Sequence, residues 1–435
     1  MSFEILQKEV INKGLCTRCG LCVGVCPVKA IGFTEDSYPI SIEDCTDCGL
    51  CNKVCPGADV DYPALSERIF HKAYDPMNFL GHQEEMLVGH PTDETVRRAG
   101  ASGGLTTGLL IYLLKTGKIR GAAVVGMDTE RPWKAKSLLA TTEEEIRSSA
   151  NSKYCIVPSM DVLAKMRKEK GPFAVVALPC QVHGLRKLEA SDPALAGKIA
   201  YILGLYCHYN MENEGYLDVL RISEIDPEKI AKFEFRGGGW PGGFFVVMKE
   251  GKEKLLHSIV YSNMISVMVR LYGAERCFLC TDAMCEFADI SFGDFWANDY
   301  QDHLGDLSWC TLCSQRTKRG RELLESAERD GAIRLFHLPR ERYSKRTIYF
   351  VMEKRLEGFV RLRRLTIQGR TVPDYHHEVP KTNLMAWVAE AIRYRGTRIF
   401  RGPRTRRMVL KILFSPFGEV LDRINTLRKK IFSLL

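Results

Sequence analysis

The stretches "LCTRCGLCVGVCPVKAI" (residues 15–31) and "DCTDCGLCNKVCPGADV" (residues 44–60) carry one cysteine pattern twice. In each, four cysteines stand three, three and four positions apart, and the last is followed by proline. Cysteines so close in sequence make a poor disulfide scaffold, and a hydrophobic core needs no such regularity. The run C-x2-C-x2-C-x3-C-P wraps a cubane iron–sulfur cluster, with three thiolates from one tight loop and the fourth crossing to a second cluster. That rule assigns Cys16, Cys19, Cys22 and Cys55 to one 4Fe–4S cluster, and Cys45, Cys48, Cys51 and Cys26 to the other. Gly20 and Gly49 fall where the loop must turn closely around inorganic sulfide. The competing assignment is a pair of zinc knuckles, but zinc needs four ligands per site and gives no reason for two matched runs ending in Cys-Pro.

The chain has 435 residues, enough for two or three domains with a sizeable core. Sixteen cysteines without a secretory leader point to a reducing, cytoplasmic setting where thiols bind metal. No run approaches eighteen consecutive apolar residues, so a spanning helix is not expected. The net charge of +9 is unevenly placed: residues 391–435 hold twelve Lys or Arg against Glu419 and Asp422, which leaves the rest of the chain near neutrality. The basicity therefore belongs to a tail.

The pattern divides into a two-cluster ferredoxin-type module (1–62), a connector (63–98), a mixed body of α+β or α/β class (99–365) and a basic, partly amphipathic helical tail (366–435). Within the module, 28–44 has the length for a helical turn and a pair of strands. In "RRAGASGGLTTGLLIYLLKTGKIRGAAVVGM" (97–127), Ser102 is placed to cap a helix carrying Leu105, Leu109, Tyr112 and Leu113, with Gly117 at its end and a buried strand after it. "FAVVALPCQVHGLRKLEA" (173–190) reads as strand, turn and helix, and "KIAYILGLYCHYN" (198–210) as a further strand. Buried strands alternating with helices predict parallel pairing. "KFEFRGGGWPGGFFVVMKEGK" (232–252) alternates like an antiparallel hairpin.

Four stretches, "GASGGLTTGLLIYLLKTGKI", "FAVVALPCQVHGLRK", "FEFRGGGWPGGFFV" and "CFLCTDAMCEFADISFGDFW", together resemble the beta-subunit family of coenzyme F420 (deazaflavin) hydrogenases and dehydrogenases. The resemblance covers roughly residues 85–340 and implies an oxidoreductase body that binds FAD and a third 4Fe–4S cluster. It also implies hydride exchange with coenzyme F420 as substrate, and other redox subunits or a ferredoxin as partners.

Gly100, Ser102, Gly103 and Gly104 precede an apolar helix, where backbone N–H groups converge on a diphosphate; an ordinary capped helix is the plainer reading of the same residues. The resemblance favours FAD. Asn151, Lys153 and Tyr154 match a further family stretch, and Lys153 is expected at a phosphate or at the flavin N1/C2=O region. Arg236, Gly239 and Trp240 are expected to set a cation and an aromatic face beside the flavin, against a plain hairpin turn. For the third cluster the resemblance singles out Cys180, Cys207, Cys277 and Cys280, with Cys285 as substitute. Cys155, Cys310 and Cys313 are expected as buried small hydrophobes. Asp294 and Trp296 are expected to shape a turn. No acid–base or nucleophilic residue is singled out as catalytic, because hydride transfer between stacked rings rests on orientation.

These readings predict an electron-input subunit passing electrons from reduced F420 through FAD to the clusters. The alternatives are a self-contained ferredoxin-dependent reductase of a small organic substrate and an electron-transfer adaptor without flavin turnover. In the tail, Val420, Ile424, Leu427, Ile431 and Leu434 form one apolar stripe over 418–435. It suits peripheral association with the inner face of an anionic membrane or docking to an acidic subunit. The plainer reading packs the tail on its own protein, and nothing in the sequence calls for nucleic acid.

Overall fold

The computed structural model describes residues 2–240, 242–256, 261–295, 309–337, 340–421 and 423–424. The amino-terminal module opens with a helix at Ser2–Leu6 that runs on through a π-helical turn at Gln7–Ile11. Two short helices, Leu21–Val25 and Leu50–Lys53, each begin after a glycine in the left-handed region, Gly20 at φ 87° and Gly49 at φ 75°. Gly20 is also sterically required. A Cβ there would lie 2.2 Å from the Pro158 carbonyl oxygen, so the first cysteine loop turns directly against the body. Between the runs, β1 (Ile31–Phe33) and β2 (Pro39–Ser41) form the expected pair of strands, antiparallel to each other and without the helical turn expected over 28–44.

The body is built on strands β3 (Glu85–Pro91), β4 (Gly121–Met127), β5 (Ala135–Ala140), β6 (Phe173–Ala177) and β7 (Ile199–Leu205). The antiparallel ribbon β8 (Ile230–Gly237), β9 (Gly243–Met248) and β10 (Glu253–Leu255) follows, then β11 (Ile290–Asp294), β12 (Thr311–Gln315) and β13 (Ile333–His337). Eight strands make one sheet in the order β13-β3-β12-β11-β7-β6-β4-β5. Its centre is parallel, β4 to β6 to β7 to β11, as the buried strand–helix alternation predicts. Both flanks are antiparallel, so the sheet is mixed. Ala174, Val175, Ala177, Ile202, Leu203 and Ile290 are buried between helical layers.

Three local expectations change. Ser102 does not cap the helix. The helix spans Leu105–Lys115, its N-cap is Gly104 in the left-handed region, and Ser102 Oγ instead donates to the Cys310 carbonyl at 3.1 Å. The stretch 63–98, expected as a connector, holds a helix (Tyr62–Phe70), β3 and a second helix (Glu94–Ala99). β3 lies inside the sheet between β12 and β13, with Met86, Leu87 and Val88 buried. Its Gly, His and Pro residues hide the β pattern that tertiary pairing enforces. The tail, finally, starts by packing on the module: Val60 N–H donates to the Asp374 carbonyl at 2.9 Å, and Tyr375 is buried.

Further along, Tyr394 and Leu410 are buried and much of the basicity is paired at home. Arg393 reaches Glu353 and Glu357, Arg398 and Arg401 reach Glu275, and Arg406 approaches Asp218. Ile399, Met408, Phe417, Val420 and Ile424 remain exposed. Leu427, Ile431 and Leu434 lie outside the described residues. No helix among the described residues is long and apolar enough to cross a membrane.

Module and body share one hydrophobic core. Leu6, Leu15, Leu21, Val25, Val54 and Tyr62 from the module pack with Met160, Leu163, Val182, Leu185, Phe287 and Leu362 from the body. At its tightest point the helix Pro179–Ser191 meets the first cysteine run at Gly184, where a Cβ would lie 2.0 Å from Leu21 Cδ1 and 2.9 Å from the Val54 carbonyl. Gly184→Val should therefore overpack this seam, costing about 1–3 kcal/mol and lowering the thermal midpoint by several degrees on a circular-dichroism melt. Gly126→Ala, where a Cβ would meet only Leu138 Cδ2 at 3.8 Å, should leave the melt and the cluster absorbance unchanged.

Candidate functional site

Two cavities open inside the module. One is lined by Cys16, Cys19, Cys22 and Cys55 together with Leu6, Val10 and Leu21. The other is lined by Cys26, Cys45, Cys48 and Cys51. Each wall takes three cysteines from one run and the fourth from the other. Burial pushes the thiols of Cys16 and Cys51 up to about 11 and that of Cys55 to about 12. Thiolates here therefore call for positive charge nearby, which a cluster's iron supplies. No group of three or more His, Cys, Asp or Glu among the described residues is gathered as a single metal ion would need.

A third cysteine group forms in the body. Cys180 follows β6 and Cys207 follows β7, so both stand at the carboxyl edge of the parallel strands, where open α/β sheets hold their ligands. Cys277 and Cys280 come from the turn after the helix Tyr261–Tyr272. The four are close enough to act on one another: Cys207, Cys277 and Cys280 all raise Cys180, after burial. Cys19 of the module also raises Cys180, which places the inner module cavity beside the body group. Cys285 also interacts with Cys207 and Cys180, but it is fully buried and its sulfur donates to the Ala177 carbonyl at 3.6 Å. It sits under β7, where its sulfur would be 2.6 Å from a Cβ on Gly204. Cys155, Cys310 and Cys313 are buried in apolar clusters, as small hydrophobes are.

Buried cations surround this third group. Lys354, 1% exposed, donates to the Cys207 and Asp282 carbonyls at 2.7 Å each, and nearby Cys280 and Cys207 work against its desolvation to raise its pKa. Arg276 Nε donates to the Gly57 carbonyl at 3.0 Å and Nη1 to Tyr375 Oη at 3.3 Å, bridging module and tail. Arg18, between Cys16 and Cys19, donates both Nη groups to Glu212 at 2.8 and 2.5 Å. His183 meets Asp282 at 3.0 Å in full burial; desolvation works against the carboxylate, but His183, Lys354 and Arg355 together hold its pKa low. None of Arg18, Glu212, Arg276, Asp282 or Lys354 stands out in the sequence. Glu212 and Lys354 lie far from any cysteine run, whereas Arg18 sits inside a cysteine loop and Arg276 and Asp282 flank the Cys277/Cys280 pair, the local signal that could have found them.

The residues expected at FAD fall into two groups along the same carboxyl edge. Gly100, Ser102, Gly103 and Gly104 form the loop before the helix Leu105–Lys115. It is fastened to the start of β12: Trp309 Nε1 donates to the Gly100 carbonyl, Thr311 Oγ1 to Ser102 and Leu105 N–H to Thr311 Oγ1. A Cβ on Gly103, at φ 80°, would strike the Trp309 carbonyl at 2.4 Å, so that glycine serves close approach to the protein's own backbone. In the second group Arg236 Nη1 meets both oxygens of Asp294 at 2.7 and 2.9 Å, and Asn151 Nδ2 donates to the Arg236 carbonyl at 2.9 Å. Lys153 Nζ donates to the carbonyls of Ser149, Ala150 and Asn151, and burial lowers it to about 8. Tyr154 meets Phe235 edge to face. Gly239 has open space around it and Trp240 is half-buried. Asp294 pairs in register with Thr311, so the two groups join at the ends of β11 and β12. Asp294 closes a strand; Trp296 lies outside the described residues.

This fold, with its cysteine-lined cavities, defines an iron–sulfur protein with an α/β body. Residues 86–164 and 171–340 match the amino- and carboxyl-terminal models of the coenzyme F420 hydrogenase/dehydrogenase beta subunit, and residues 8–56 match a 4Fe–4S dicluster domain. The chain belongs to that family and is an oxidoreductase with a dicluster domain, which removes the zinc alternative. It is 30% identical over 360 residues to coenzyme F420-dependent sulfite reductase of Methanocaldococcus jannaschii, covering 79% of this chain and 51% of that protein. The chain thus spans about half the length of that relative. It is 30% identical to coenzyme F420 hydrogenase subunit beta of Methanothermobacter thermautotrophicus over 58% of this chain and 84% of the relative. It is 28% identical to a subunit of the F(420)H(2) dehydrogenase of Methanosarcina mazei over 67% and 78%. A chain from the F420-reducing NiFe hydrogenase complex of Methanosarcina barkeri shares the fold, with TM-score 0.55 and 22% identity over 69% of this chain and 99% of that one.

The Arg236–Asp294 pair gives an ordered prediction. Asp294→Ala strips a guanidinium that is 1% exposed of this carboxylate and should cost about 3 kcal/mol in urea unfolding. Arg236→Met keeps the packing and leaves a carboxylate that is 31% exposed to be solvated, so it should cost less.

Proposed function

We propose that the chain moves electrons between coenzyme F420 and three 4Fe–4S clusters through FAD, as the electron-input subunit of a larger redox complex. The observation that carries this reading is the file of three cysteine groups, with the Cys19 and Cys180 stretches tied across the module–body seam by Met160 N–H to the Cys19 carbonyl at 3.0 Å and Gln181 Nε2 to Ser159 Oγ at 2.8 Å. Cys16, Cys19, Cys22 and Cys55 hold the inner module cluster, Cys26, Cys45, Cys48 and Cys51 the outer one, and Cys180, Cys207, Cys277 and Cys280 the body cluster. FAD, when bound, supplies the conversion between a two-electron hydride donor and single-electron carriers.

The chain's own residues provide the setting. The loop Gly100–Gly104 offers backbone N–H groups and a helix N-terminus to the diphosphate. Asn151, Lys153, Tyr154, Arg236, Gly239 and Trp240 frame the ring side, with Lys153 and Asn151 fixing the loop carbonyls and Arg236 held by Asp294. Lys354, Arg276 and Arg18 place positive charge around the body cluster and the inner module cluster, which offsets their negative charge in a water-poor interior. A second reading runs the electrons inward to a small oxidised substrate. The likeness to a sulfite reductase over half that protein's length favours it. Anaerobic titration with reduced F420, reduced ferredoxin and NADH separates the two, since each predicts a different source of flavin bleaching.

About twelve irons and one non-covalent FAD per chain are expected from anaerobic purification; about eight irons would remove the body cluster. Cys16→Ala and Cys55→Ala should erase the same cluster signal. Ala101→Asp, which puts a carboxylate in the loop proposed to hold the diphosphate, should release FAD by charge repulsion and leave iron in place; full retention would overturn the diphosphate assignment.

The tail is read as an interfacial anchor on an anionic membrane, supported by its exposed apolar residues. Deletion of 391–435 should abolish pull-down by anionic liposomes at low salt. Equal sedimentation of both forms, or of neither, would return the tail to packing on the body.

A further inference from the structure

The outer cysteine group reaches the surface, whereas no cysteine of the inner group is exposed. Cys48 is exposed, Cys45 is half-buried, and residues 40–44 and 46–47 on either side of Cys45 form an exposed rim. That rim carries large apolar side chains: Ile40 is 38% exposed, Ile42 55%, and Val28, which lines the outer cavity itself, 44%. Ile42 is fixed there by its N–H to the Ala30 carbonyl at 2.9 Å. Around this apolar centre lie Glu43, Asp44 and Asp47. Residues 26–53 hold five carboxylates against Lys29 and Lys53, a negative surface on a chain whose formal charge is +9. Asp47 is locked in place by Ser2, whose Oγ donates to its Oδ1 at 2.5 Å.

We infer that this rim is the docking surface for a separate one-electron carrier protein that presents a basic ring around an apolar centre. A self-contained electron path has no need of a cysteine group at the surface. An apolar contact of a few side chains within a charged ring fits a partner that must be attracted, react and leave. The carboxylates steer a basic face to the site, and Val28, Ile40 and Ile42 are the groups desolvated on contact. The reduced outer cluster gives one electron and the partner's oxidised centre takes it, with no proton or bond changed. The same rim repels acidic carriers, so partner choice is made by charge before contact. This inference rests on the assignment of Cys26, Cys45, Cys48 and Cys51 to a cluster, and is independent of FAD and of the body cluster.

The probe is cytochrome c, a one-electron acceptor with a lysine-rich face, together with its succinylated, acidic form. Full-length holoprotein is reduced, freed of reductant and mixed anaerobically with each in a stopped-flow instrument. The rate with native cytochrome c should fall about fivefold or more between ~20 mM and ~300 mM salt. Glu43→Lys/Asp44→Lys should lower the low-salt rate about fivefold and flatten that dependence. Ile42→Ser should slow transfer at every salt concentration. Succinylated cytochrome c should react slowly with the parent and faster with the charge-reversed variant. A charge-matched control, Glu250→Lys/Glu253→Lys on the distant ribbon, should behave as the parent. Equal rates for parent and Glu43→Lys/Asp44→Lys, or an equal effect from the control, would overturn the docking surface. Iron content and cluster absorbance, measured on every variant, show separately whether the outer cluster itself is present.

Discussion

The contact between Arg18 and Glu212 sets the geometry on which the electron path depends. Arg18 stands between two cysteines of the first loop, in a left-handed backbone conformation, and is 5% exposed. Its guanidinium is held by both oxygens of Glu212, by the Asp36 carbonyl and by the Tyr38 ring at 4.7 Å. Glu212 sits five residues after Cys207. One fork-to-carboxylate contact therefore fixes the first cysteine loop against the strand end that carries a member of the body group. Bidentate pairing gives orientation as well as attraction, which a lone lysine would not supply.

Burying thiols and cations together is costly unless each charge has a counterpart. The protein meets that requirement by drawing cations from distant stretches. Arg18 comes from the module, Arg276 from the turn that carries Cys277, and Lys354 from the long helix Arg340–Ile367. Their donor groups also satisfy the carbonyls of Gly57, Cys207 and Asp282, so the same side chains serve packing and electrostatics. The three groups thus form a graded series, from an outer one at the surface to a body one ringed by buried charge.

What the sequence disclosed follows the range of the interactions involved. The cysteine runs, the 28–44 strand pair, the parallel centre of the sheet and the 232–252 ribbon all rest on local spacing or periodicity. Cys180, Cys207, Cys277 and Cys280 are reached through resemblance, and the fold gathers them from stretches up to a hundred residues apart. Ser102 fails as a cap because the loop's bonds to 309–311 claim it, a contact more than two hundred residues away. β3 escapes notice because its strand character comes from its neighbours. The tail's arginines suggest an open basic surface, but Glu275, Glu353 and Glu357 are far off in sequence and answer much of that charge.

The proposed electron path is one file of three clusters, in which the chain's own fold brings the inner module group against the body group. Anomalous scattering at the iron edge, from crystals of anaerobically prepared protein, locates the clusters without reference to activity. Three separate iron-rich peaks are predicted, at Cys16/Cys19/Cys22/Cys55, at Cys26/Cys45/Cys48/Cys51 and at Cys180/Cys207/Cys277/Cys280, with the first between the other two. Two peaks confined to the module, or a third placed away from Cys180, would contradict that path.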